Sequence, residues 1–386
     1  MIKNKFFNKN EFFGLGSIYN LSKIIKKNNF KQILVVTGKK SYQSSGLKNF
    51  LAPLLKDTEY LIKNDFDINP KYKDIKRIGS SLKSMKFDAI IAGGGGSVID
   101  FAKCLNVYLS TCNDYDQDGI INPLLIKGEF LPMIAIPTTA GTGSEATHFA
   151  VAYIKNEKIS VANKELRPQY AIIDPVFCFG SPSYISACCA FDALCQAIES
   201  YWSKGATTQS KKFAKEAIIL ISTNIVKAVQ ADCHLSRESL SKGAFLAGKA
   251  INISKTTAPH ALSYSLTSHL DIPHGHAVAL TLGKFYTLNK SIESQKKPLN
   301  ISGLKKHLRN LEDIKKYMGW TKESCFEIEW SKLMIQCGLD LKIDVSNLKN
   351  ITLDTFTTSV NKERLSNHPL EISEKIISKI YSELFS

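Results

Sequence analysis

The chain has 386 residues, 44% hydrophobic and 22% charged, an ordinary globular composition that excludes disorder as the main state. Its formal charge of +15 comes from lysines spread along the chain, as in "KIIKKNNFK", "NKELR" and "SGLKKHLRNLEDIKK". With no long basic block interleaved with aromatics, this is a solvated surface, and no nucleic-acid partner is expected.

The start, "MIKNKFFNKNEFFGLGS", has lysines but no apolar run of signal-peptide length, and no later segment has the apolar length of a membrane span. The nine cysteines are scattered, and the adjacent pair Cys188 and Cys189 is no CxxC. A cytoplasmic protein with reduced, mostly buried thiols and no membrane partner is the expectation. "KQILVVTG" (31–38) reads as a buried strand ending in a glycine turn, and "KYKDIKRIGSSLKSM" (71–85) has helical spacing. "FDAIIAGGGG" (87–96) is a strand running into glycines, followed by the helix "SVIDFAKCLNVYLS" (97–110). "LPMIAIPTTAGTGSEAT" (131–147) is another strand, ending in a Thr/Gly turn. This alternation predicts a parallel sheet covered by helices on both faces. After "YAIIDP" (170–175) the pattern becomes mostly amphipathic helices: 185–203, 208–231, 236–252, 258–269 and several more to Phe385. The reading is an α/β dinucleotide-binding domain at 1–181 and an all-helical domain at 182–386.

Glycine lets a backbone approach a phosphate, and a helix N-terminus offers unpaired N–H groups. Four consecutive glycines before Ser97 are more than a tight turn needs, so "GGGGSVID" reads as a phosphate site. It is not the GxGxxG fingerprint of an ordinary Rossmann domain. "PTTAGTGSE" is a second small-residue turn at a strand's C-terminal end. Two such turns on one sheet favour a dinucleotide.

Four of the eight histidines, His260, His269, His274 and His276, fall between Thr256 and Leu280. Asp192, Gln196 and Glu199 sit at i, i+4 and i+7 and share a helix face. His260 and Tyr264 are one turn apart, and Pro273 sets His274 on a new segment. An aspartate and two histidines can close three positions of a metal site and leave one open. Taken alone, Asp192 as a helix cap and His260 as a satisfied core histidine are the favoured readings.

"GGGGSVIDFAK", "IPTTAGTGSEAT", "FDALCQAIESYW" and "PHALSYSLTSHLDIPHG", in this order and spacing, resemble the iron-dependent (group III) alcohol dehydrogenase family. The likeness runs from "FFGLGS" at 12–17 to "NHPLEISEKIISKIY" at 367–381. The resemblance implies the dehydroquinate synthase-like fold and NADH or NADPH as coenzyme. It also implies one catalytic divalent metal, Fe2+ or Zn2+, between the domains, and a homodimer is the expected assembly. By position, Gly94, Gly95, Gly96, Ser97 and Asp100 fall in its pyrophosphate motif, and Thr138, Thr139 and Ser144 in its second cofactor turn. Asp192, His260 and His274 match metal ligands. At the fourth ligand position the family commonly has histidine, where this chain has Gln196, a weaker, neutral donor through its amide oxygen. Tyr264 replaces another frequent histidine and becomes the candidate proton donor, with water as the alternative.

"AGKAINISKTTAPH" puts Lys249 and Lys255 upstream of His260, where diol-type relatives are small and apolar. Ammonium groups there suit a phosphonate oxyanion, and "AINISKTTAPHALSY" resembles the phosphonoacetaldehyde reductase branch. The expected reaction is metal-dependent, NAD(P)H-linked reduction of a small, phosphonate-bearing aldehyde. Another small aldehyde, or a lyase like dehydroquinate synthase, is the alternative. Where NAD-specific relatives often carry an acid, this chain has Gly38 followed by Lys39 and Lys40, so NADPH is expected to be accepted.

Overall fold

The computed structural model describes residues 6–110, 129–154, 157–231, 233–291, 301–344, 353–358 and 360–385. The chain divides into two compact units, Met1–Ser181 and Pro182–Ser386. The first holds strands β1 (Glu11–Phe13), β2 (Gln32–Thr37), β3 (Glu59–Lys63), β4 (Ala89–Gly94), β5 (Met133–Pro137), β6 (Phe149–Ile154), β7 (Glu157–Ala162) and β8 (Tyr170–Ile173). Its helices are α1 (Asn20–Asn28), α2 (Ser41–Ser44), α3 (Leu47–Leu54), α4 (Tyr72–Leu82) and α5 (Gly96–Leu109). Six strands form one parallel sheet in the order β1-β8-β5-β4-β2-β3, and β6 and β7 make a separate antiparallel hairpin.

Side chains alternate across a strand, so a sheet covered on both faces needs apolar residues at every position. Leu34, Val36, Ile90 and Ala92 face Ile75, Ile78, Phe101 and Leu105 of α4 and α5. Ile33, Val35, Ile91 and Ile134 pack on Leu21, Ile25, Leu47 and Leu51 of α1 and α3. The sequence pattern did not separate β1, β3 and the β6–β7 hairpin. β1 is three residues long, and β3 is only partly buried and so less apolar.

The three turns singled out from the sequence leave one edge of the sheet side by side. Thr37 pairs with Gly93, and Gly94 with Pro137, so the C-terminal ends of β2, β4 and β5 are neighbours. Open parallel sheets bind ligands at this edge.

Beneath the third turn lies Lys103, fully buried on α5. Its Nζ lies 2.7 and 3.0 Å from Ser144 O and Oγ, 2.9 and 3.1 Å from Thr147 O and Oγ1, and 2.9 Å from Phe149 O. Ser144 Oγ donates to Asp100 Oδ1, and Asp100 Oδ2 accepts Val151 N–H at 3.0 Å. Asp100 and Ser144, both expected at the cofactor, thus take part in an internal network. Their side chains are used inside the unit and hold the turn from beneath, because a buried ammonium must be surrounded by oxygen acceptors.

The second unit is helical: α6 (Ser183–Trp202), α7 (Thr208–Gln230), α8 (His234–Ser254), α9 (Ala258–Leu270), α10 (His274–Lys290), α11 (Ile301–Tyr317), α12 (Phe326–Gln336), α13 (Leu353–Thr358), α14 (Lys362–Ser366) and α15 (Glu374–Leu384). α6 is buried along nearly its whole length, as expected of a helix apolar all round. No described helix is long and apolar enough to cross a membrane, and none of the described cysteines is in a disulfide.

Lys103→Met would leave five oxygens facing a methyl group. It is expected to destabilise the protein by about 3 kcal/mol or more, seen as a lower urea midpoint by circular dichroism.

Candidate metal centre and cofactor turns

α6 carries Asp192, Gln196 and Glu199 on successive turns, all nearly or fully buried. α9 opens on Ala258 with Pro259 in its first turn, where a missing N–H costs nothing, and His260 follows. Pro273 stands at the N-cap of α10, so His274 is that helix's first residue. Three helices thus bring one carboxylate and two imidazoles together, with ligand atoms from Asp192, His260 and His274 all within 4.8 Å of one another. His260 Nε2 is 3.2 Å and His274 Nε2 3.9 Å from Asp192 Oδ1.

The far nitrogen of each ring is already engaged. His260 Nδ1 bonds Glu199 Oε1. Glu199 Oε2 accepts Thr257 N–H at 2.6 Å and Thr257 Oγ1 at 2.8 Å, and Trp202 Nε1 donates to Thr257 Oγ1 at 3.0 Å. His274 Nδ1 lies 3.3 Å from Ser263 Oγ, whose own proton goes to His260 O. With both Nδ1 atoms anchored, both Nε2 atoms are turned toward Asp192, the arrangement that metal-binding histidines adopt. The sequence put Glu199 on the right face and gave it no task. Its carboxylate fixes the His260 tautomer.

Electrostatics point the same way. Burial alone would lower the pKa of His260, but the Glu199 charge and the hydrogen bonds to Asp192 and Glu199 raise it to about 9. Burial alone would raise that of Asp192, but the His260 hydrogen bond and the charges of His274 and His260 hold it below the usual carboxylate range. Two buried carboxylates around one ring call for a cation. Gln196 adds a hydrogen bond to Asp192. One carboxylate oxygen and two imidazole nitrogens suit Fe2+ or Zn2+, so the residues fit the group.

The first unit offers the candidate cofactor turns. α5 starts at Gly96 with no side-chain cap, Ser97 is its second residue, and a helix's first N–H groups lack intrahelical partners. A Cβ on Gly96 would come 2.5 Å from Thr142 Cγ2, and one on Gly95 3.3 Å from Thr139, so these glycines let the second and third turns approach each other. Gly94 and Gly93 have a different reason: a Cβ there would strike Val98 or Leu47, at 2.6 Å in each case. The glycine run is therefore partly a packing requirement. Thr138 is buried, Thr139 half-buried, and Lys39 and Lys40 are exposed beside the half-buried Gly38.

A family model described as iron-containing alcohol dehydrogenase matches residues 8–175, and its C-terminal counterpart matches 186–385. The chain belongs to the iron-containing alcohol dehydrogenase family. It is an oxidoreductase, and this family works with NAD(H) and a divalent metal, iron. Long-chain-alcohol dehydrogenase 1 of Geobacillus thermodenitrificans is 28% identical over 97% of this chain and 94% of its own length. Phosphonoacetaldehyde reductase of Streptomyces viridochromogenes is 32% identical over 228 residues, 56% of this chain and 57% of its own. Among solved structures, sulfoacetaldehyde reductase from Bifidobacterium kashiwanohense in complex with NAD+ superposes with a TM-score of 0.84 at 26% identity, covering 97% of this chain and 96% of that one.

The remaining candidate residues of this alcohol dehydrogenase fall into two groups. Tyr264 hydrogen-bonds Arg364, a buried residue of α14 that the sequence reading passed over, and its ring lies 5.8 Å from that of His274. Nothing local in "NKERLSNHP" marked Arg364, which reaches Tyr264 only through the packing of α14. Lys249 and Lys255 have other partners. Lys249 Nζ sits over the rings of Phe213 and Phe245, at 5.0 and 5.4 Å, and Lys255 Nζ pairs with Glu363.

The histidine crowding resolves into two pairs of tasks. His276 joins Tyr184 Oη (3.1 Å from Nδ1) to Asp340 O (2.8 Å from Nε2), a structural link, and exposed His269 lies edge-on to Phe356. Gly275 explains the "PHG" turn: a Cβ there would fall 1.8 Å from Cys188 O and 3.0 Å from Asp192 Cβ.

Gly275→Ala must push α10 off α6 and carry His274 away from Asp192. The purified variant is expected to lose most of its metal by elemental analysis. Glu199→Gln is expected to weaken metal binding about 10- to 100-fold in a competitive chelator titration.

Proposed function

We propose that this enzyme reduces a two-carbon aldehyde bearing an anionic head group, phosphonoacetaldehyde, to 2-hydroxyethylphosphonate, with Asp192, His260 and His274 holding the metal. The observation that carries the reading is the buried Arg364 guanidinium on Tyr264, beside His274. A fork of N–H donors matches an oxyanion head better than a point charge does. Two of the relatives above support it by name, since phosphonoacetaldehyde and sulfoacetaldehyde share a short aldehyde and an anionic head. Lys249 and Lys255, expected from sequence to bind that head, are replaced in this role by Arg364, because their ammonium groups sit on phenylalanine rings and on Glu363.

When bound, the nicotinamide supplies the hydride and the divalent metal the Lewis acidity that polarises the carbonyl. The protein's part is orientation and a proton. Arg364 holds the anionic end, which fixes the carbonyl carbon relative to the incoming hydride. Burial raises the pKa of Tyr264 above its ordinary value, so its phenol stays protonated at neutral pH and donates to the oxygen of the new alcohol. Gly38 lacks the acid that would repel a 2′-phosphate, and Lys39 and Lys40 attract one. NADPH is therefore used at least as well as NADH.

A panel of phosphonoacetaldehyde, sulfoacetaldehyde and neutral aldehydes, followed by nicotinamide absorbance with Fe2+ or Zn2+ added, tests the substrate. Arg364→Gln is expected to lower kcat/KM for the anionic aldehydes by about 1.5–3 kcal/mol, a factor of about 10–150, and to spare neutral ones. A wild-type preference for neutral aldehydes overturns the reading. Gly38→Asp, whose side chain requires the Ser41 hydroxyl to rotate away, is expected to shift the coenzyme preference toward NADH. A wild-type enzyme at least tenfold better with NADH rejects the coenzyme assignment.

A further inference from the structure

His260 depends on the corner that precedes it. α8 ends at Ser254, α9 begins at Ala258, and three residues turn the chain between them. At the first of these, Lys255 has φ 60° and ψ 174°, a conformation that is essentially reserved for glycine. A lysine stays there only if its surroundings impose it. Lys255's own side chain does not, since it is exposed and paired with Glu363.

The constraint comes from a residue 112 positions away. Asn367 Nδ2 donates to Ser254 O at 2.8 Å and to Thr256 O at 2.9 Å, the carbonyls on either side of Lys255. Both protons of one amide are thus used to hold two carbonyls on the same side of the chain. Asn367 Oδ1 accepts Gly205 N–H at 3.0 Å, and its backbone O accepts Lys204 N–H at 3.0 Å, which anchors the clamp to the end of α6. Gly205 allows this approach, since a Cβ there would come 2.8 Å from Ser254 O. Past the corner, Thr257 gives both its donors to Glu199 Oε2, and Glu199 Oε1 bonds His260 Nδ1.

We infer that Asn367 is a positioning residue of the metal centre: it holds Lys255 in a glycine-type backbone conformation, so that Thr257 meets Glu199 and Glu199 aims His260. The inference rests on the reading that Asp192, His260 and His274 hold the metal. No other residue type supplies two donors and one acceptor from so short a stem. Aspartate keeps the acceptor for Gly205 and loses both donors. Glycine at 255 removes the need for the clamp, because it adopts the conformation without strain.

The test is a competitive chelator titration of the metal-free enzyme with Zn2+, on wild type, Asn367→Asp, Lys255→Gly, the double variant and Asp192→Ala, with thermal unfolding of each apoprotein alongside. Asn367→Asp is expected to bind Zn2+ about 10- to 100-fold more weakly. Lys255→Gly is expected to stay within about twofold of wild type, and the double variant to regain most of the affinity lost by Asn367→Asp. A residue that only stabilised the fold would lower the unfolding temperature without rescue of affinity by glycine. Wild-type affinity in Asn367→Asp, or a double variant no tighter than Asn367→Asp, overturns the inference. Wild-type affinity in Asp192→Ala instead overturns the ligand assignment beneath it.

Discussion

The hydrogen bond between Glu199 and His260 is the interaction on which the second unit is organised. A carboxylate with no exposure to water is costly unless every lone pair is used. Here Thr257 supplies two donors and His260 a third. Satisfying Glu199 therefore fixes the start of α9 against α6, and with it the ring that faces Asp192. The apolar length of α6 makes this possible, because a helix buried on all sides can carry polar groups only where they are mutually satisfied.

A parallel solution operates in the first unit, with the opposite charge. Lys103 is a buried cation surrounded by oxygens of Ser144, Thr147 and Phe149, and Asp100 completes the network through Ser144. It shapes the turn after β5 in the way that Glu199 shapes the start of α9. In each unit a buried charge, satisfied by hydrogen bonds, sets the backbone of one turn: Lys103 that after β5, and Glu199 that before α9.

Close backbone approach is the second shared device. Gly275 allows α10 to touch the carbonyl of Cys188, and Gly96 allows the turns after β4 and β5 to meet. A methyl group at either place would separate elements whose contact creates the site. This is why glycine follows His274 directly. It is also why the run "GGGG" serves packing at its first two positions and the turn at its last two.

Much of this was legible in the chain itself. Continuous apolar runs marked β2, β4 and β5, because a strand buried on both faces must be apolar throughout. Spacing of 3.6 marked α4, α5 and the long helices after Pro182, and Pro273 marked the break before His274. The i, i+4, i+7 spacing placed Asp192, Gln196 and Glu199 on one face, and the resemblance named which histidines to pair with Asp192. What the sequence could not carry is which distant groups meet. Arg364 reaches Tyr264, Asn367 spans Ser254 and Thr256, and Lys249 settles on Phe213 and Phe245 through packing between helices far apart in the chain. Local spacing reports which side of a helix a residue occupies. Only the tertiary structure decides what stands opposite, since that depends on how the ridges of one helix fill the grooves of another.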